Sequence, residues 1–101
     1  MDEFKRTTNG FNYIYEKNLA AGETVIVKMP AVSSNKRGIN DIGWQADGDL
    51  TLYGTLSSNP QSGNALWQEI RDNDEVNKTV SAVKIVNGSA SCNIVIRAIL
   101  N

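Results

Sequence analysis

The chain has 101 residues, a formal net charge of −1 and a single cysteine, Cys92. This length corresponds to one domain, and a balanced charge without a basic stripe argues against nucleic acid as a partner. No apolar run approaches the roughly 20 residues that cross a bilayer, and residues 1–6 do not resemble a secretory signal, so we expect no membrane partner. A lone cysteine forms no intramolecular disulfide, which suits a reducing cytoplasm.

The residues after a polar N-terminal stretch predict one all-β domain. We expect 1–10 to form a flexible N-terminal arm and 11–101 to form a single β-sandwich or jelly-roll-like domain of about seven short antiparallel strands. Abundant Asn, Gly, Ser and Thr favour turns and strands. The predicted strands, in chain order, are 11–17, 24–29, 39–46, 50–56, 66–70, 79–86 and 91–100.

The clearest alternation belongs to the fourth predicted strand, where Leu50, Leu52, Gly54 and Leu56 share one face. Near the end of the chain, the dipeptide at 87–88 is Asn-Gly, a strong hairpin signal. We therefore expect the last two predicted strands to form a hairpin.

The last predicted strand has apolar residues on both faces. Cys92, Ile94, Ile96, Ala98 and Leu100 fall on one face. Val95 and Ile99 fall on the other, together with Arg97 and Asn93. Such a strand needs cover on both sides, from its own fold or from another subunit. Val95, Arg97 and Ile99 are therefore the candidate oligomer interface.

The sequence contains few residues of the types that carry out catalysis. The chain has no histidine, which removes the commonest general base and zinc ligand. Cys92 without a histidine is a poor nucleophile, and its apolar strand neighbours favour a core position. The acidic segment 72–75 lacks the spacing of a calcium loop and predicts a solvated turn, as does 47–49. We expect no enzyme activity, no metal and no cofactor.

Five aromatic residues are of the type that a sugar-binding platform uses, because their faces cover the apolar side of a pyranose. They are Tyr13, Tyr15, Trp44, Tyr53 and Trp67. For Trp67 we favour a place in the core or at a subunit interface. In the alternative, a carbohydrate-binding module, the glycan contacts are Trp44, Tyr53 and Trp67.

Two segments resemble parts of known β-sandwich families. LTLYGTLSS, followed after a polar loop by ALWQEI, is similar to a segment of discoidin-like jelly rolls and of small structural proteins of tailed bacteriophages. The segment AVKIVNGSASCNIVIRAIL resembles the close of such phage chains. Together the resemblance covers residues 44–100. Discoidin-like chains usually have Asp-Gly before the tryptophan, whereas the loop here is longer, so no ligand-binding residue is carried over.

The resemblance implies a non-enzymatic component of a phage virion, such as a capsid decoration, head-fibre, neck or tail-associated protein. The implied location is the virion, after synthesis in the host cytoplasm. The implied partners are the major capsid protein or other virion proteins, and the chain itself as a closed homo-oligomer, with a trimer favoured. In the arm, Phe4 is a candidate anchor and Lys5 and Arg6 candidate contacts to acidic groups; a disordered terminus is the alternative.

Overall fold

The computed structural model describes residues 1–7, 13–29, 40–71 and 80–100 of the chain. Within these ranges nine strands and no helix form. The strands are β1 (Asp2–Glu3), β2 (Lys5–Arg6), β3 (Tyr13–Leu19), β4 (Thr24–Lys28), β5 (Asn40–Ala46), β6 (Leu50–Thr55), β7 (Gln68–Ile70), β8 (Ala82–Asn87) and β9 (Cys92–Leu100). The all-β prediction is confirmed.

The strands form two sheets that share one hydrophobic core. The five-stranded sheet has the order β1-β4-β8-β6-β7, and the four-stranded sheet has the order β2-β3-β9-β5. All pairings are antiparallel except that of β1 with β4. The core cluster draws side chains from both sheets, including Leu19 and Ile96 from one and Val27, Leu52 and Ile85 from the other. This sandwich-like arrangement leaves each sheet with one outer face.

The core follows the period-2 pattern of the strands. Ile94, Ile96 and Ala98 of β9 are buried, whereas Val95 and Arg97 between them are half-buried on the opposite face. In β6 the alternation ends one residue earlier than predicted, because the strand stops at Thr55. Leu56 therefore lies outside the strand and is 75% exposed.

The hairpin predicted at Asn87 and Gly88 is wrong. β8 belongs to the five-stranded sheet and β9 to the four-stranded sheet, so this turn carries the chain from one sheet to the other. Gly88 fits the corner because an added Cβ would lie 2.7 Å from the carbonyl oxygen of Asp49. The side chain of Asn87 fills the corner with hydrogen bonds and is 5% exposed.

The first part of the predicted arm, residues 1–7, contains two short strands, and we call it the N-terminal strap. β1 pairs with β4 in one sheet and β2 pairs with β3 in the other, so the strap joins an edge of each sheet. Phe4 lies between the two short strands and packs against the core, where its ring centroid is 6.0 Å from that of Tyr15. Burial of this one aromatic residue holds a segment that is otherwise polar.

Several predicted features fall elsewhere than expected or outside the described residues. β7 begins at Gln68 instead of residue 66, and β8 spans Ala82–Asn87 instead of 79–86. The predicted acidic turn at 72–75 and the end of the predicted arm at 8–10 lie outside the described residues.

Candidate functional site

The outer face of the five-stranded sheet carries a cluster of two aromatic rings around one lysine. Tyr53 of β6 lies directly opposite Lys84 of β8 in the strand register. The Nζ atom of Lys84 is 5.2 Å from the ring centroid of Tyr53 and 4.6 Å from that of Trp67. Both distances are within the range of a cation–π contact. We call Tyr53, Trp67 and Lys84 the aromatic–lysine cluster.

Trp67 is not in the core cluster, so of the two places predicted for it, the core or a subunit interface, the core is wrong. Its side chain is half-buried, and the core cluster takes Ile70 from this segment instead. Residues two apart on an extended chain share a face, and Trp67 therefore lies on the same side as Glu69. Because Tyr53 and Glu69 are paired on the outer face, Trp67 reaches Lys84 there.

A short hydrogen-bonded loop positions Trp67 over the sheet. The hydroxyl of Thr55 donates to the carbonyl oxygen of Leu66 at 2.6 Å, which joins the end of β6 to the residue before Trp67. Within the loop, the Ser57 and Ser62 hydroxyl oxygens accept from backbone N–H groups two residues onward, at 3.2 Å each. Leu56 and Leu66 flank the hydrogen bond from Thr55, and 75% and 85% of their surfaces are exposed.

The other aromatic residues of the predicted sugar platform lie on the inner side. Tyr15 is a core residue, and Tyr13 and Trp44 are half-buried against the core. The Nε1 atom of Trp44 is buried and has no hydrogen-bond partner among the described residues. The structure therefore brings Tyr53 and Trp67 together, and it separates both from Trp44.

The outer face of the four-stranded sheet holds the predicted oligomer interface. Val95, Arg97 and Ile99 are half-buried there, and Arg97 lies opposite Ile14 of β3. One end of this face carries a shallow depression of about 610 Å³ whose lining includes Glu16, Gln45, Asp47, Asn93 and Val95.

Asp47 in this depression is held by β9. Its carboxylate accepts from the backbone N–H of Asn93 at 2.7 Å and from the side-chain amide of the same residue at 2.9 Å. The backbone hydrogen bond is the main cause that lowers the pKa of Asp47. Burial raises the pKa of the neighbouring Cys92 thiol. Among the described residues no group of three or more metal-ligating side chains is close enough to hold an ion.

The N-terminal strap is fixed by a polar network as well as by Phe4. The Tyr15 hydroxyl donates to the Asp2 carboxylate at 2.5 Å, and Lys17 forms ion pairs with Asp2 at 3.5 Å and Glu23 at 3.4 Å. The hydrogen bond from Tyr15 is the main cause that lowers the pKa of Asp2. For Tyr15 the larger cause is burial, which raises the pKa of the phenol.

The predicted docking residues of the arm are thereby divided between two environments. Phe4 is half-buried, whereas Lys5 and Arg6 are exposed at the edge strand of the four-stranded sheet. Sequence reasoning missed Lys84 as a functional candidate altogether. The alternation along β8 was the sequence pattern that could have identified it. Lys84 shares a strand face with the half-exposed Val86, and the buried Val83 and Ile85 lie on the opposite face.

Comparison of the chain with protein-family models, with curated proteins and with solved structures found no significant match. The resemblance to phage structural proteins over 44–100 therefore stays a prediction. None of the described residues belongs to a helix long and apolar enough to cross a membrane.

Proposed function

We propose that this protein is a non-enzymatic structural component of a tailed-phage virion, a capsid decoration or head- or tail-associated protein that works by self-assembly and by docking to other virion proteins. The observation that carries the proposal is the strand order of the two sheets. Together with the resemblance over 44–100, it favours a jelly roll, an architecture found in viral capsid and lectin domains.

A jelly roll forms when an antiparallel ribbon of strand pairs wraps around a core. In such a ribbon the first strand pairs with the last strand, the second strand pairs with the second-last strand, and the pairing continues inward in the same way. β3 pairs with β9 and β4 pairs with β8, the two outermost pairs of such a ribbon. β6 pairs with β7, the innermost pair. β8 lies between β4 and β6, and β9 lies between β3 and β5, as wrapping requires. We therefore infer a jelly roll for the described strands.

Docking to the particle uses the exposed end of the N-terminal strap. Lys5 and Arg6 are exposed on β2 at a sheet edge, and the pairing of β2 with β3 orders their backbone. Two cations at an edge favour a partner surface with acidic groups, and a backbone ordered before binding reduces the entropy lost on docking. Phe4 supports this site from within the fold instead of reaching the partner.

Co-sedimentation tests the docking. Purified protein is mixed with empty heads of the phage or prophage that carries the gene, and the heads are pelleted. We expect the wild type to pellet with the heads and the double variant K5E/R6E to stay in the supernatant. Arg71→Glu, which reverses an exposed charge after β7, at the edge of the five-stranded sheet opposite the strap, is the control and should pellet. A wild type that binds no particle component contradicts the proposed function.

A carbohydrate-binding module is the second candidate, because Tyr53 and Trp67 lie close together on one outer face. Two aromatic faces at a protein surface suit the apolar side of a sugar ring. It ranks second because Lys84 already covers one face of each ring, and because the adjoining exposed groups, Leu56 and Leu66, are typical of protein contacts. Glycan-array binding that is lost in Trp67→Ala while the fold is retained would reverse this ranking.

A further inference from the structure

The outer face of the five-stranded sheet carries opposite charges on the two sides of one tyrosine. In the strand register Tyr53 lies opposite Lys84 of β8 on one side and opposite Glu69 of β7 on the other. Neighbouring strands lie about 4.8 Å apart, so the backbones of Lys84 and Glu69 are separated by roughly 10 Å. The face therefore has the pattern positive, aromatic, negative across three adjacent strands.

The positive charge has no carboxylate partner within the described residues. The Lys84 ammonium is oriented by the rings of Tyr53 and Trp67, and no described acidic side chain forms an ion pair with it. Glu69 accepts a hydrogen bond from Arg71 at 2.7 Å, but the Arg71 side chain is 76% exposed. Ion pairs of this exposed kind contribute little, so Glu69 keeps most of its capacity to attract a cation.

This pattern is complementary to itself. A contact between two copies related by a two-fold axis requires that one patch match the same patch rotated by half a turn. A two-fold axis that passes near Tyr53 and runs parallel to the strands exchanges the β8 side and the β7 side of the face. Lys84 of each copy then lies opposite Glu69 of the other copy. With a net charge of −1, the chain has little overall repulsion to oppose such a contact.

Apolar surface beside the charges supplies the rest of the contact. Trp67 is half-buried on this face, and its ring and that of Tyr53 both lie against the Lys84 ammonium. Aromatic residues are enriched at protein interfaces and often dominate their energetics.

We propose that the outer face of the five-stranded sheet is the surface through which two copies of this chain associate, with Lys84 of each copy paired with Glu69 of the other. The proposal rests on the self-association that is part of the proposed function, and it is independent of docking to the particle. It replaces the trimer favoured by the phage resemblance with a two-fold dimer, and the interface at Val95, Arg97 and Ile99 with the aromatic–lysine cluster.

The size of the face sets the expected strength. The five strands have 22 residues in all, with two in β1 and three in β7, so at about 3.3 Å per residue and about 4.8 Å between strands they cover about 350 Å² in projection. A standard stable interface buries about 800 Å² on each partner. The face is at the small end of this scale, so we expect a dimer that dissociates in the micromolar range.

Sedimentation equilibrium over a range from about 1 to 500 µM tests the proposal by charge reversal. For the wild type we expect an average mass that rises from that of one chain, 11.0 kDa, toward that of two. Lys84→Glu and Glu69→Lys each place like charges opposite one another and should weaken association about tenfold or more. The double variant K84E/E69K restores opposite charges and should recover the wild-type behaviour. Glu16→Lys, which reverses an exposed charge on the four-stranded sheet, is the control, and thermal unfolding checks that every variant is folded.

Each outcome has a distinct meaning. A wild type that stays monomeric to 500 µM refutes this interface and the self-association, whereas docking is judged separately by the pelleting assay. Association that survives both single reversals, or that is weakened by Val95→Lys instead, assigns the contact to another face and overturns the proposal. Glycan binding by a monomeric wild type would assign the aromatic–lysine cluster to carbohydrate and would also overturn it.

Discussion

Asn87→Ala should be among the most destabilising single changes in the turns of this fold. Asn87 is 5% exposed and joins three chain segments at the corner between the sheets. Its side-chain amide donates to the carbonyl oxygens of Ala20 at 2.8 Å and Ala90 at 2.9 Å, and its carbonyl oxygen accepts from the backbone N–H of Gly88 at 2.9 Å. The amide also donates a longer hydrogen bond to the carbonyl oxygen of Leu19 at 3.4 Å, and alanine at position 87 removes all four bonds.

The expected loss follows from the number of bonds. A hydrogen bond contributes about 1 kcal/mol net, and a buried group left unpaired costs about 1–3 kcal/mol. We therefore expect a loss of about 2–4 kcal/mol in the free energy of unfolding. For a domain of this size each kcal/mol corresponds to about 4–8 °C in Tm, which gives a decrease of about 8–32 °C.

Thermal unfolding followed by circular dichroism measures this effect against a matched control. Asn93→Ala also removes two side-chain hydrogen bonds, to Asp47 and from Asn18, but at an exposed position where water replaces them. We expect a loss of about 0.5 kcal/mol or less there. Equal decreases in Tm for the two variants would refute the claim that Asn87 holds the corner.

The remaining predictions concern the two tryptophans and the N-terminal strap. Trp67→Ala should lower the free energy of unfolding by about 1 kcal/mol, because it loses a cation–π contact and partial burial. Trp44→Ala should lower it by about 3 kcal/mol, because Trp44 packs against the core. Urea titrations that give Trp67→Ala the larger loss would contradict this placement. Asp2 has a lowered pKa in the folded state, mainly through the hydrogen bond from Tyr15, so its contribution is present above the ordinary pKa of about 4 and is lost as the pH falls through the folded value. The stability difference between wild type and Asp2→Asn should therefore be largest near pH 7 and disappear on acidification below pH 4, and a difference independent of pH would count against it.

The strands were predictable because their apolar residues alternate over enough positions to exclude a helix. β9 shows this best, since burial of Ile94, Ile96 and Ala98 on one face follows directly from their spacing. The turn at Asn87 and Gly88 was also predictable as a turn. A turn signal marks where the chain reverses, however, and does not determine which sheet the next strand joins. That choice depends on contacts with segments about 40 and 70 residues away, at Asp49 and Ala20.

The strap and the aromatic–lysine cluster were beyond sequence reasoning for a different reason. β1 and β2 have two residues each, too few to show any periodicity, and their order depends on Phe4 meeting Tyr15. Trp67 has apolar neighbours on both sides in Leu66 and Ile70, so the pattern allows either face. Its true partner is Lys84, which is brought to it by strand pairing and not by proximity in the chain.

The most direct test of the proposed function is the composition of the particle itself. Tailed-phage particles from the strain that carries the gene are purified on a density gradient and analysed by quantitative mass spectrometry against the major capsid protein. A structural component of the virion should be present in a fixed ratio to the capsid protein, in every preparation, and should stay with the particles through a second gradient. Absence of the protein from infectious particles, while it accumulates in the lysate, would contradict the proposal.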